Sequence, residues 1–512
     1  MHLSPEEKRI GKHNFGRALD FTRRDFLKAA AAAPAVGAFY FGYSEMHDGP
    51  LKAGLIGTGR QGSRILSHSN PDYVRFTAVC DIRPSQLHRI RYGEESAADH
   101  IGMLKKYEVT DEQLDQQVRQ YDDYLQLLAD SDVELVVIAV PLHLHHQITS
   151  DALAAGKHVF CETQLAKSAG ECKELGRAAA TRGLKLAVGY QRHYNILYDN
   201  AINILDSGLL GDVRHIRARW HYNHSWPVLH RGEPLVVDGQ SVLQDSMREV
   251  IPEMDQPLDF AKYGYQSLEE LCWWPLYHRT GGGLMAEMGT HQLDACVRLL
   301  GGAHPLAVSG TGGKTFFEDD REIDDHLFLT FEFPGLDHPL GVRAGANLDD
   351  IVFVTYSCVA TNALESYGEQ VFGTRGTLLV DEQREVLLFK EVAPETGTDP
   401  KATEIAVATS VSGAGELTTS ASDTGGDASA APIPGDIGTF VNRGYGEQLE
   451  HFAWCIRNPD ADNQPRCGAD VGLANVVMAS VADAAVRQKT RIEFEPEWFD
   501  IDQEATPGDG LV

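Results

Sequence analysis

A strand-length apolar run, Leu51–Ile56, leads straight into Gly57-Thr58-Gly59-Arg60-Gln61-Gly62, and a helical stretch follows to about Ser69. Few folds place three glycines at this spacing between a strand and a helix. The first permits a tight turn, and the second lets the backbone approach a pyrophosphate. The third lets the helix pack close to the sheet, while the helix N-terminus favours the phosphate charge. The next strand, Tyr73–Asp81, ends in an acid 24 residues after Gly57. A carboxylate there accepts hydrogen bonds from a ribose 2′-hydroxyl and repels a 2′-phosphate, so the pattern points to NAD as cofactor. Arg83, two residues on, softens that preference and keeps NADP as the alternative. A glycine turn with no dinucleotide is the plain structural reading.

The following stretch keeps the same grammar. Helical segments over 85–106 and 111–129 precede a nearly continuous apolar strand, Val133–Val140, as expected for a strand covered on both faces. Helix 146–155, strand His158–Glu162, helix 168–182 and strand Lys185–Tyr190 complete the alternation. This predicts an α/β fold, with a doubly wound parallel sheet of Rossmann type over 50–192. Beyond Arg192 a helix over Tyr194–Ser207 is followed by longer alternating strands at 213–222, 307–317, 324–333, 340–347, 365–373 and 377–391. They predict a second, α+β domain over 193–500 with an open, largely antiparallel sheet. An irregular insertion, 223–280, with Trp226, His224, Arg231, Trp273 and Trp274, is expected to shape the substrate pocket, and a core or interface role for these Trp stands as the alternative. Residues 407–438 are rich in Ser, Thr, Gly, Ala and Asp and read as a surface loop. Helices at 444–457 and 468–488 and a strand at 490–496 close the chain.

Residues 1–49 read as a leader and linker. Thr22-Arg23-Arg24-Asp25-Phe26-Leu27-Lys28 precedes a short Ala-rich apolar run, the layout of an export signal, and the paired arginines resemble a twin-arginine signal. The expected partner is therefore the twin-arginine export machinery, with the protein periplasmic or extracellular, or membrane-tethered if the leader stays attached. The remainder contains no run of about 18 apolar residues, which predicts no integral membrane span in the mature part. With 45 Lys and Arg against 74 Asp and Glu, the net charge of -29 argues against a nucleic-acid partner. The 8 cysteines are scattered without a C-x-x-C pair, so a zinc or iron–sulfur site is not expected.

Two further runs could carry chemistry. Val140-Pro141-Leu142-His143-Leu144-His145-His146 follows the buried strand, and loops at the carboxyl ends of parallel strands line the ligand crevice. Its histidines are too close in sequence to converge on a metal, and a loop bordering the nicotinamide is the better reading. Gly281-Gly282-Gly283 opens a helix on which Glu287 and His291 are spaced i, i+4, with Asp294 three residues further. A carboxylate–imidazole pair suits proton transfer, although such pairs are commonly plain surface pairs.

In this order the motifs resemble the Gfo/Idh/MocA oxidoreductases over about residues 51–496. Carrying the resemblance are the glycine turn, Val137–Pro141 with His145, Ala152–Glu162, Val188-Gly189-Tyr190-Gln191-Arg192, Gly281–His291 with Asp294, and Gly373–Leu378. The resemblance implies coenzyme contacts from Gly57, Thr58, Gly59, Arg60, Gln61, Gly62, Asp81, Pro141, His145, Glu162 and Gln191. It implies hydride transfer between a sugar- or polyol-like substrate and nicotinamide, at a site between the domains. His291 would accept the proton, with Glu287, Asp294 and Thr163 beside it. It also implies a homo-oligomer. The family's Glu-Lys-Pro stands here as Glu162-Thr163-Gln164, which removes the usual lysine; Lys167 lies in the following turn. The family's Asp-x-x-x-His becomes Glu287-x-x-x-His291. Two other readings stay open: a glycosidase that uses bound NAD transiently, and a non-catalytic sugar-binding relative.

Overall fold

The computed structural model describes residues 3–6, 8–15, 41–44, 46, 48–94, 97, 99–230, 233–234, 236–237, 240–241, 243–391, 408–411, 417–420, 443–460 and 462–508. The twin-arginine stretch, Arg231 and most of the expected loop at 407–438 lie outside these residues. Within that loop, Ala408–Val411 and Leu417–Ser420 pair antiparallel.

Six parallel strands build the first sheet: β1 (Leu51–Ile56), β2 (Val74–Cys80), β3 (Arg119–Tyr121), β4 (Leu135–Ile138), β5 (His158–Cys161) and β6 (Leu186–Val188). Their order is β3-β2-β1-β4-β5-β6. The chain reverses its direction of travel across the sheet between β1 and β4, which opens a ligand crevice beyond their carboxyl ends. All four residues of β4 are buried, as an uninterrupted apolar strand requires. The expected helix over 85–106 is instead two helices, Pro84–Tyr92 and Met103–Tyr107, because Gly93 and Gly102 take φ of +79° and +71°. The one expected over 111–129 splits into Asp111–Gln117, β3, and Tyr124–Leu128, whose N-terminus Asp123 caps.

The second sheet has eight strands: β7 (Val213–His221), β8 (Ala307–Gly313), β9 (His326–Pro334), β10 (Ile351–Val359), β11 (Tyr367–Gly373), β12 (Gly376–Asp381), β13 (Glu385–Lys390) and β14 (Ile492–Glu493). They run in the order β13-β12-β11-β7-β10-β9-β8-β14, antiparallel throughout except for the parallel pair β7 and β10. The strand expected at 340–347 does not form. Leu340 and Val342 are 56% and 60% exposed, and Ala344 takes φ of +46°. The alternation of Leu340, Val342 and Ala344 imitates a strand, but the segment is a turn tied by Asp350, which accepts from the Asp337 amide and pairs with Arg214. The true strand is β10, which buries Val352, Val354, Tyr356 and Cys358 on one face. The expected strand at 377–391 is a hairpin that turns at Glu382 and Gln383, both with positive φ. The closing strand pairs only over Ile492–Glu493.

Helix Ala469–Gln488 lies between the two domains and packs on helix Ala169–Arg182 of the first and on β8 of the second. By length and hydropathy it would pass as a membrane span, but most of it is buried within the fold. Val136 and Leu165 of the first domain share one apolar cluster with Val477 of this helix and Phe331 of β9. Lys173, also buried, donates to the carbonyls of Glu497, Gln503 and Ala505 and so pins the C-terminal tail to the first domain.

Candidate active site

The domains enclose a cleft of about 1690 Å³ above the carboxyl ends of β1, β4 and β5. At its floor Gly57 takes φ of +88°, and a Cβ there would stand 2.2 Å from the Ala139 carbonyl oxygen. A Cβ at Gly62 would stand 2.1 Å from the Gly57 carbonyl oxygen, so helix Arg60–His68 can sit this close to the turn only with glycine. Gly59, by contrast, has open space in front of it, with its nearest neighbour the Gln86 side-chain oxygen at 3.9 Å. No side chain caps the helix that Gly59 begins, which leaves its first amides facing the cleft, where an anion fits.

Asp81 stands at one end of the cleft. Its carboxylate accepts from the Thr58 amide at 2.7 Å, the Thr58 hydroxyl at 3.2 Å and the Arg83 amide at 2.9 Å. Burial raises its pKa, against the pull of these donors. Thr58 is itself buried and serves Asp81. Gln61 reaches across the floor and donates to Glu162 at 3.1 Å. Burial holds the Glu162 carboxyl above its ordinary range.

The other end of the cleft is built from both domains. Thr163 follows β5, and its hydroxyl oxygen lies 3.4 Å from Nε2 of His291. His291 stands on helix Thr290–Leu299, which continues a π turn, Met285–Gly289, that carries Glu287. The rings of Tyr190 and Trp220 flank the imidazole at 5.5 and 6.0 Å. Burial, then the nearby Arg192 charge, lower the His291 pKa to about 3, so the ring is neutral at physiological pH. Burial drives Glu287 the other way, to about 7. Among the described residues no hydrogen bond joins Glu287 to His291. The π turn resets the helical spacing, and the first charge to act on Glu287 is His145.

The cleft thus gathers Gly57, Gly59, Arg60, Gln61, Asp81, Pro141, His145, Glu162, Thr163, Gln191, Glu287 and His291. Asp294 lies elsewhere: it is buried, accepts from His193 at 2.9 Å and Asn475 at 3.3 Å, and braces the helix behind His291. The three loop histidines diverge. Nδ1 of His143 faces the Thr280 carbonyl, His146 meets Glu174, and His145 lies 2.5 and 2.9 Å from the carbonyls of Gln164 and Val140. Lys167 binds the His278 and Arg279 carbonyls, outside the cleft. His224, Trp273 and Trp274 of the insertion line the cleft, whereas Trp226 is 55% exposed away from it. Sequence reasoning missed Trp220 and Tyr445, and within the insertion did not single out Tyr265 or the stretch Asp245–Pro252, all of which also line it. Their only sequence signal is aromatic or charged character, since long-range folding alone brings them here.

The pattern described as "Oxidoreductase family, NAD-binding Rossmann fold" matches residues 51–190, and the Gfo/Idh/MocA C-terminal domain matches residues 261–379. The chain belongs to the Gfo/Idh/MocA family of oxidoreductases. A twin-arginine translocation signal matches residues 20–39, which supports export by that route. An inositol 2-dehydrogenase from Salmonella paratyphi B is 34% identical over 178 residues, 34% of this chain and 47% of that protein. A glycosyl hydrolase family 109 protein from Shewanella amazonensis is 29% identical over 177 residues, 34% of this chain and 36% of that protein. The chain therefore spans about half the length of such relatives, or less. In fold it resembles an aldose-aldose oxidoreductase from Caulobacter crescentus, with a TM-score of 0.54 and 18% identity over 87% of this chain and 100% of that one.

Proposed function

We propose that this protein is an NAD-dependent dehydrogenase of a sugar- or polyol-like carbinol, exported to the periplasm or beyond. The observation that carries this reading is that Thr163 and His291, 3.4 Å apart, share one cleft with the glycine turn and Asp81. The residues fit a dinucleotide: Gly59 leaves room for a pyrophosphate, the helix begins there without a side-chain cap, and Asp81, just after the next strand, is held against the turn by the Thr58 amide. Bound there, the nicotinamide supplies the hydride acceptor. Neutral His291 offers the Nε2 lone pair to the substrate hydroxyl and takes its proton, while Thr163 orients that hydroxyl. Glu287, whose carboxyl burial raises to about 7, lines the same cleft and supplies a carboxyl that titrates near neutrality. Tyr190 and Trp220 keep bulk water from the imidazole.

The test is coenzyme binding followed by turnover. Calorimetry should show uptake of NAD+, and polyols or free sugars should then yield NADH. No uptake of either nicotinamide coenzyme would overturn the reading. The glycosidase alternative is favoured by one observation, the family 109 relative, together with Thr163 in the lysine position. Release of p-nitrophenol from glycosides with no net NADH would establish it. The outer face of the second sheet exposes Phe328 and Phe353, which supports a homo-oligomer, and sedimentation would reveal it.

A further inference from the structure

The insertion at 223–280 reaches over the coenzyme end of the cleft as well as the substrate end. Its turn Glu253–Asp255 docks against the start of helix Pro84–Tyr92 in the first domain. Asp255 is completely buried. One carboxylate oxygen accepts from Arg83 Nε at 3.0 Å and from the Ser85 hydroxyl at 2.5 Å, and the other accepts from the Ser85 amide at 2.9 Å. Arg83 Nη2 also lies 2.9 Å from the carboxylate. Ile82 packs against Tyr265, Leu268 and Leu271, so the insertion is held to this spot by apolar contact too.

Arg83 follows Asp81 by two residues and lines the cleft beside it. A guanidinium there is the natural partner of a 2′-phosphate, because its planar donors match phosphate oxygens. In this chain it is already matched. Two other arginines of the rim are matched as well: Arg60 pairs with Glu249 of the insertion, and Arg89 with Glu94 and Gln86. A 2′-phosphate would meet Asp81 and find each of these three arginines engaged.

We propose that Asp255 is a positioning residue that sets the coenzyme preference: by engaging Arg83 from the opposite domain, it denies a 2′-phosphate its cation and commits the cleft to NAD. This rests on the reading of the cleft as a dinucleotide site. A device of this kind lies outside the Rossmann domain, so neither the glycine turn nor Asp81 alone determines the preference.

Calorimetry on the full chain, stripped of coenzyme, tests it through the ratio of the Kd for NADP+ to the Kd for NAD+. Asp255→Asn keeps hydrogen-bonding atoms but removes the charge. It should narrow that ratio about tenfold or more, the worth of one hydrogen bond to a charged group. Adding Arg83→Ala to Asp255→Asn should restore the ratio of the unaltered chain. A purely structural role for Asp255 would lower the melting temperature and leave the ratio unmoved, and an unchanged ratio in folded Asp255→Asn overturns the proposal. Should that variant fail to fold, Arg83→Ala alone decides. Its ratio should match the unaltered chain, because the guanidinium is already engaged, and a tenfold loss of NADP+ affinity alone would overturn the proposal. If the unaltered chain takes up neither coenzyme, the reading of the cleft falls and this inference with it; if it binds them with an unmoved ratio, only this inference falls.

Discussion

The two ends of the cleft are built on opposite terms. At the end proposed for adenosine, Asp81 has three donors and Asp255 bonds both Arg83 and Ser85, so buried charge meets its complement. At the reacting end the buried Nδ1 of His291 has no hydrogen-bond partner among the described residues, and Glu287 is held near 7 by burial with no arginine bound to it. Satisfied groups hold a ligand in place and resist change. Groups kept from their comfortable protonation state are poised to move a proton, and sites of chemistry concentrate them. On the proposed reading, one cleft separates grip from reactivity by how completely each polar group is matched.

Substitutions at the two ends should break this contrast in different currencies. The largest effect is expected from His291→Ala, which should cut kcat/KM by about a thousandfold, within the usual range for a lost general base, and leave the Kd for NAD+ nearly unchanged. Equal losses in both, by steady-state kinetics and calorimetry, would erase the distinction between the ends. Gly57→Ala should do the reverse. Its Cβ collides with the Ala139 carbonyl at positive φ, so coenzyme binding should be lost and the melting temperature should fall, by the equivalent of about 2 kcal/mol or more. Glu287→Gln sharpens the reacting end. Because burial raises this carboxyl from 4.5 to about 7, its charged form costs the fold stability, a cost that grows as pH rises above 4.5 and is complete above 7. The variant should therefore melt higher than the unaltered chain at pH 8, by roughly 3 kcal/mol, and equally at pH 4. It should also lose the kcat/KM ionisation near neutrality. The smallest effect is expected for Thr163→Val, about a tenfold drop in kcat/KM for one hydrogen bond to the reacting hydroxyl, with the pH profile retained.

The adenosine half was legible because its signals are local. Gly57, Gly59, Gly62 and Asp81 lie within one strand–turn–helix–strand unit, where steric demand and chain direction fix what each residue does. The reacting half was legible in part. His291, Glu287 and Thr163 do meet in the cleft, but i, i+4 spacing alone placed Glu287 against His291, and a π turn between them alters the register. Asp294 shares the helix yet faces Asn475 and His193, because the buried helix Ala469–Gln488 claims that side. Asp255 carried no sequence signal, since its partners Arg83 and Ser85 stand some 170 positions earlier. In the second sheet, exposed Leu340 and Val342 mimicked a strand because alternation reports spacing, whereas burial depends on neighbours distant in the chain.

The helix Ala469–Gln488 has a mechanical consequence. Two lobes joined by a thin waist can swing apart and gape, because little apolar surface is bared when they do. Here the waist is a filled interior: Val477 touches the same apolar cluster as Val136 and Phe331, and Lys173 fastens the tail across it. Swinging the lobes would bare that interior to water, so they resist parting at the back. On the proposed dehydrogenase reading, a gap held in this way would select substrates by size beside His291.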